Sequence, residues 1–173
     1  MKKAVILSTI SLLTGCTSLS VNEYKSEKPE LKLESYLSGD LEAYGIFQDR
    51  SGKVVKRFQV SMKGTWKNGV GTLNEDFTYS DGTKSNRVWT IKKTDENKYT
   101  GTAADVIGEA YGESAGNAFR WNYTLDLPVD KSTYHVQFDD WMYLMNDKIM
   151  LNKSKMSKFG IYLGEVTLTF VKK

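Results

Sequence analysis

Through most of the chain, apolar side chains recur at every second position, the period of a strand with one buried face. Leu41, Ala43, Gly45 and Phe47 share one face, and Phe58, Val60 and Met62 share another, opposite Arg57, Gln59, Ser61 and Lys63. Leu73, Phe77 and Tyr79 alternate with Thr72, Asn74, Asp76 and Thr78, and Trp89 and Ile91 alternate with Val88, Thr90 and Lys92. The cleanest run is Phe119, Trp121, Tyr123, Leu125 and Leu127 against Arg120, Asn122, Thr124 and Asp126. Tyr134, Val136, Phe138, Met142 and Leu144 continue the series, and Tyr162, Val166, Leu168 and Phe170 close it. The segment Asn152 to Lys158 reads as a short helical or irregular turn before the last strand.

Turn signals separate these runs: Asp49-Arg50-Ser51-Gly52, Lys67-Asn68-Gly69, Ser80-Asp81-Gly82, Asp95-Glu96-Asn97, Asp130-Lys131-Ser132 and Asn146-Asp147. The connections are short and no strongly amphipathic helix intervenes, which argues against parallel crossovers. Sequential strands joined by tight turns form an antiparallel meander, and with about eight to ten strands closure removes the exposed edges. The expected fold is therefore all-β, a lipocalin-like barrel, with a β-sandwich as the runner-up.

The first residues follow a different logic. Met1-Lys2-Lys3 is cationic, and Ala4 to Leu13 is apolar apart from Ser and Thr. That run is far short of the roughly 20 residues a spanning helix needs, and it fits a secretory signal. Leu13-Thr14-Gly15-Cys16 resembles the lipobox of bacterial lipoproteins. Small residues give a transferase access to the thiol, which is then acylated. The resemblance implies cleavage before Cys16, acyl chains on its sulfur and new amino group, and a membrane anchor. Several acyl chains exceed what stable anchoring requires. Cys16 is the only cysteine, so it has no intramolecular partner, and lipidation accounts for an unpaired thiol in an exported protein. Thr17 follows in place of Asp, which by resemblance to the sorting rule of enteric bacteria points to the outer membrane of a Gram-negative envelope, facing the periplasm.

The expected organisation is a signal at 1–15, the lipidated Cys16 with a flexible polar tether at 16–32, and one β-barrel domain at 33–173. Removing the first 15 of the 173 residues leaves 158, the size of one domain. Loss of Lys2 and Lys3 reduces the formal charge from +3 to +1. No Lys/Arg block tracks phosphates, so nucleic acid is not an expected partner. Aromatic residues make up 12% of the chain, enough for a substantial β core.

Several segments resemble the lipoprotein family grouped as domain of unknown function 3833. They are Gly45-Ile46-Phe47-Gln48-Asp49-Arg50, Asp81-Gly82 with Arg87-Val88-Trp89, and Ala104-Asp105-Val106-Ile107-Gly108. Gly116-Asn117-Ala118, Asp139-Asp140-Trp141-Met142 and Lys158-Phe159-Gly160 complete the set. The likeness covers nearly all of the chain after the signal and implies no catalytic residues.

Four charges break the alternation. Glu75 lies between Leu73 and Phe77, Arg87 shares a face with Trp89 and Ile91, Asp105 with Tyr99 and Ala103, and Asp140 lies between Phe138 and Met142. Pointing inward, three carboxylates and one guanidinium are costly unless paired, so Arg87 is expected to meet at least one acid. One reading is a structural cluster at a barrel end that fixes strand register. Another is a ligand site walled by Trp89 and Trp121, where an apolar cavity holds a lipid tail and Arg87 grips a carboxylate or phosphate headgroup. A third is acid–base chemistry by Glu75 and Asp140.

Other motifs carry less. His135 is the only histidine and falls on a polar face, and a lone His builds neither a zinc site nor a triad. Gly108, Gly112 and Gly116 recur every four residues, interrupted by Glu109, Glu113 and Asn117, as in a bent strand pair or a mouth loop. Asp139, Asp140 and Trp141 read as a corner where Trp packs and Asp caps amides. No cofactor or metal is expected. The expected function is a lipid-anchored envelope protein that binds a small apolar or amphipathic ligand, such as a fatty acid or phospholipid. The alternatives are an interaction module for an envelope protein partner and a lipid-modifying enzyme.

Overall fold

The computed structural model describes residues 19–129 and 132–173, so Cys16 and the signal lie outside the described residues. A 3-10 turn, Val21–Tyr24, and a single helical turn, α1, Leu33–Tyr36, precede ten strands. These are β1 Gly39–Asp49, β2 Val54–Lys67, β3 Val70–Tyr79, β4 Lys84–Asp95 and β5 Lys98–Thr102, then β6 Ala110–Ala115, β7 Ala118–Val129, β8 Ser132–Leu144, β9 Ile149–Lys158 and β10 Ile161–Lys172. Each pairs antiparallel with its neighbours in sequence, and β1 pairs with β10 from Leu41↔Lys172 to Asp49↔Gly164, closing the barrel. The lipocalin-like barrel is thus the fold, and among the described residues all ten strands belong to this one sheet, which leaves none for a sandwich.

Alternation explains the closure. Leu41 and Ala43, Val60 and Met62, Leu73, Trp89 and Ile91, Phe119 and Trp121, and Phe170 all turn inward and form one buried cluster. Aromatic bulk needs room on facing strands. Trp121 packs over Gly112 and Gly101, and a Cβ at Gly112 would collide with both Trp121 and Phe119. The four-residue glycine spacing therefore reflects a strand glycine at Gly112 flanked by the two turns at Gly108 and Gly116.

Two expectations along the chain are corrected. Asn152 to Lys158 is no turn: it is the body of β9, paired with β8 from Gln137↔Ser157 to Leu144↔Met150. Its inward positions, Met150, Asn152, Ser154 and Met156, are buried, but two of them are polar, which masked the period. Asp139-Asp140-Trp141 is likewise no corner, because β8 runs straight through it. Asp140 faces in. Asp139 faces out and accepts hydrogen bonds from Arg120 (2.7 and 3.1 Å) and Asn122 (2.8 Å).

The described part of the expected tether is packed, not free. Val21 is buried with Ala115, Ala118 and Trp141, and Tyr24 packs edge-on to Tyr143. Leu31 is buried, and its amide donates to the Gly116 carbonyl (2.8 Å). Two apolar anchors in a polar stretch suffice to dock it. The chain then enters α1, which plugs the end of the barrel bearing the β2–β3, β4–β5, β6–β7 and β8–β9 hairpins.

That closed end is tightly satisfied. Leu33, Tyr36 and Leu37 are buried, and the Tyr36 hydroxyl donates toward the carbonyls of Lys148 (3.0 Å) and Phe170 (3.2 Å). Glu34 receives Lys93 on one oxygen (2.6 Å) and the Tyr99 hydroxyl on the other (2.7 Å). Gly64 lies so close under the Leu37 carbonyl that any Cβ would clash with it. Among the described residues no helix is long and apolar enough to cross a membrane.

Candidate functional site

Above the plug the barrel is hollow. A cavity of about 400 Å³ runs from Leu33 and Leu37 at the closed end to the half-exposed Lys56 and Tyr79 at the opposite end. That volume lies within the range of small-ligand sites, about 300–1,000 Å³. Most of the wall is aromatic or aliphatic: Phe47, Phe58, Phe77, Trp89, Phe119 and Trp121 are representative. At the open end apolar side chains lie exposed on the strand ends and hairpins, Val54, Val55, Val129, Tyr134 and Ile161 among them, with Phe159 at 88% exposure.

One side of the cavity is polar, and strand register builds it. Glu75 on β3 stands opposite Arg87 on β4, and Leu73 opposite Trp89. On β8 Asp140 stands opposite Trp121 of β7 and Ser154 of β9. Glu75, Arg87, Asp140, Trp89 and Trp121 all line the cavity, together with Tyr123, Asn152 and Ser154. Asp105 reaches the cluster by another route. Alternation puts it on a strand face with Tyr99 and Ala103, but β5 ends at Thr102, and Asp105 lies in the following turn. That turn is tied down by the Val106↔Leu125 bridge and by the Asp126 amide donating to the Asp105 carbonyl (2.9 Å). Its carboxylate meets Arg87 in a bidentate pair, with Nε 3.1 Å from Oδ1 and Nη2 2.6 Å from Oδ2.

The two remaining acids have few partners. Asp140 is 6% exposed, and its Oδ2 accepts the Tyr123 hydroxyl at 2.9 Å, while Oδ1 is buried with no hydrogen-bond partner. Ser154 Oγ, also buried, has none either. Asn152 spends its amide on the Trp141 carbonyl (3.2 Å). Burial pushes the Glu75 carboxyl up to about 7; Arg87 opposes this, and the nearby Asp105 and Asp140 add to it. Burial likewise raises Asp140 against the opposing pull of Ser154, Tyr123, Asn152 and Arg87. Burial and the Asp140 charge together hold the Tyr123 phenol well above its usual value. A carboxyl with an unused oxygen in an apolar chamber is expensive to maintain, and such a group is a candidate functional site.

Tyr123, Asn152 and Ser154 were missed as site residues. By alternation Tyr123 is one more apolar position, and the signal for the other two is the Met150-x-Asn152-x-Ser154-x-Met156 alternation. His135 is exposed, 3.4 Å from Asp126. Cys16 lies outside the described residues. Among the described residues no group of three or more His, Cys, Asp or Glu is placed to hold a metal ion.

Comparison with solved structures finds the same fold at low identity. The S-type phycobiliprotein lyase CPES from Guillardia theta matches with a TM-score of 0.59 at 8% identity, over 80% of this chain and 89% of that one. A protein with unknown function from the DUF3598 family of Nostoc punctiforme matches with a TM-score of 0.51 at 12% identity, over 86% of this chain and 51% of that one. These likenesses show the fold alone. No curated protein matches the chain in sequence. The family model described as "Protein of unknown function (DUF3833)" matches residues 10–172.

Proposed function

The chain belongs to this family, and we propose that it is a binding protein that holds a small apolar or amphipathic molecule inside its barrel. The observation that carries the reading is the cavity of about 400 Å³, apolar over most of its wall and polar along one side. A barrel of this size can be filled by its own side chains. Here the space between Glu75, Trp121, Asp140 and Leu168 is left open. Of the ligand classes expected, fatty acid or phospholipid, the aromatic wall supports the alkyl portion; the headgroup is a separate question. The name of the phycobiliprotein lyase supports ligand binding on this fold in general and no particular ligand.

The proposed setting is the periplasmic face of the outer membrane, with a lipid anchor on Cys16. Metabolic labelling with a tagged fatty acid tests the anchor: label is expected on the native chain and lost in Cys16→Ser. Native mass spectrometry of residues 19–173, which contain the whole barrel and its plug, tests the binding. A co-purifying mass of several hundred daltons that extracts into organic solvent is expected. An empty barrel, even after incubation with envelope lipid extract, would overturn the reading. The exposed apolar rim around Phe159 and Ile161 favours a second reading, docking of an envelope protein partner at the mouth.

A further inference from the structure

Building on the cavity reading, we propose that the ligand's polar end is a hydrogen-bond-donating cation, an alkylammonium type of headgroup, and that it seats against Asp140, Glu75 and Ser154. An anionic headgroup would have to compete with the acids already on Arg87. The Nε/Nη2 edge of the guanidinium goes to Asp105. Across the strand ladder Arg87 faces Glu75. The guanidinium is therefore flanked by two acids, and a third, Asp140, lines the same cavity. Three carboxyls against one guanidinium make the polar wall acceptor-rich and short of positive charge. A carboxylate or phosphate placed among them would be desolvated beside like charge.

What the wall offers is unspent acceptor capacity. Asp140 Oδ1 and Ser154 Oγ are both buried and both without a partner, on adjacent strands in direct register. Asp140 already uses Oδ2 for Tyr123, so the free oxygen is its second acceptor site. An ammonium brings three donors and a compact charge. It could bond Asp140 Oδ1 and Ser154 Oγ together, and its charge would offset the excess of acids around Arg87. Paired with it, Asp140 becomes a charge-assisted hydrogen-bond acceptor, where alone it is an uncompensated buried group. Among the described residues no group of three or more His, Cys, Asp or Glu is placed to hold a metal ion, and the apolar wall suits a cation that carries an alkyl chain. The alkyl part then lies along Trp89, Phe119, Trp121 and Leu168.

Three ligands with one decyl chain and different heads test this: decylamine, decanol and decanoate. Each displaces an environment-sensitive apolar fluorophore from residues 19–173 at neutral pH. The amine is expected to bind about tenfold or more tighter than the acid, with the alcohol between them. Asp140→Asn should shrink that preference to about twofold or less, and Ser154→Ala should weaken amine binding without affecting decanol. If decanoate binds as well as decylamine, or if the preference survives Asp140→Asn in a folded variant, the headgroup assignment is wrong while the cavity reading stands. If none of the three displaces the fluorophore, the cavity reading fails as well.

Discussion

The barrel contains two carboxylate environments, one half-buried and one buried, and they are built on opposite terms. At the closed end Glu34 has a hydrogen bond on each oxygen, from Lys93 and Tyr99. Burial works against its charge, but the bonds from Lys93 and Tyr99 prevail and hold it below its usual range. Midway along the barrel Asp140 has one bonded oxygen and one orphan, and Glu75 is driven up to about 7 by burial. The first arrangement contributes to the fold, since the charge is compensated and ties the plug to β4 and β5 through Lys93 and Tyr99. The second costs stability and persists beside an open cavity. A cluster that existed only to fix strand register would be expected to resemble the first.

The largest effect that sharpens this contrast is on the plug. Leu33 is 1% exposed in α1, and Leu33→Ala is expected to cost about 2–5 kcal/mol in denaturant unfolding. A loss below 1 kcal/mol would mean that the closed end is not where stability resides.

Next comes pH. A depressed carboxyl such as Glu34 contributes stability above its unfolded value, and that contribution is lost as pH falls through the folded value. Glu75 runs the other way. Its folded value is raised from 4.5 to about 7, so the folded state holds the proton more tightly. The favourable contribution is fully present below 4.5 and is lost as pH rises through about 7. Glu75→Gln should therefore be more stable than the native chain at pH 8 by about 3 kcal/mol, with the gap closing toward pH 4. Equal stability at both pH values would contradict the buried, underpartnered state of Glu75.

A smaller effect probes the satisfied cluster. Tyr99→Phe removes one of the two groups on Glu34 and should cost about 1 kcal/mol, leaving the affinity of the cavity for decyl ligands unchanged.

How far these regions were legible in the sequence differs for physical reasons. Period-two alternation exposed Glu75, Arg87 and Asp140 as inward charges, because Glu75 and Asp140 sit between apolar neighbours on regular strands and Arg87 shares its face with Trp89 and Ile91. Asp105 was found for the wrong reason, since a turn and not strand register carries it to Arg87. Asn152 and Ser154 were lost because small polar residues on an inward face look like a loop until the partner strand is known. The closed end was invisible. Glu34 and Tyr99 are far apart in sequence, and a single helical turn carries no period. The tether reading failed at Val21 and Leu31, where isolated apolar residues gave no pattern. The bidentate use of Arg87 by Asp105, which redirects the headgroup argument, required coordinates.

The central claim is that ligand enters the barrel and does not merely coat its apolar rim. The four indole N–H resonances test it most directly, because Trp89 and Trp121 line the cavity while Trp66 and Trp141 lie outside it. On titration of residues 19–173 with decylamine, the Trp89 and Trp121 signals are expected to shift saturably and the other two to stay in place. Shifts confined to Trp66 or Trp141, or no shift at any indole at saturating ligand, would contradict the account.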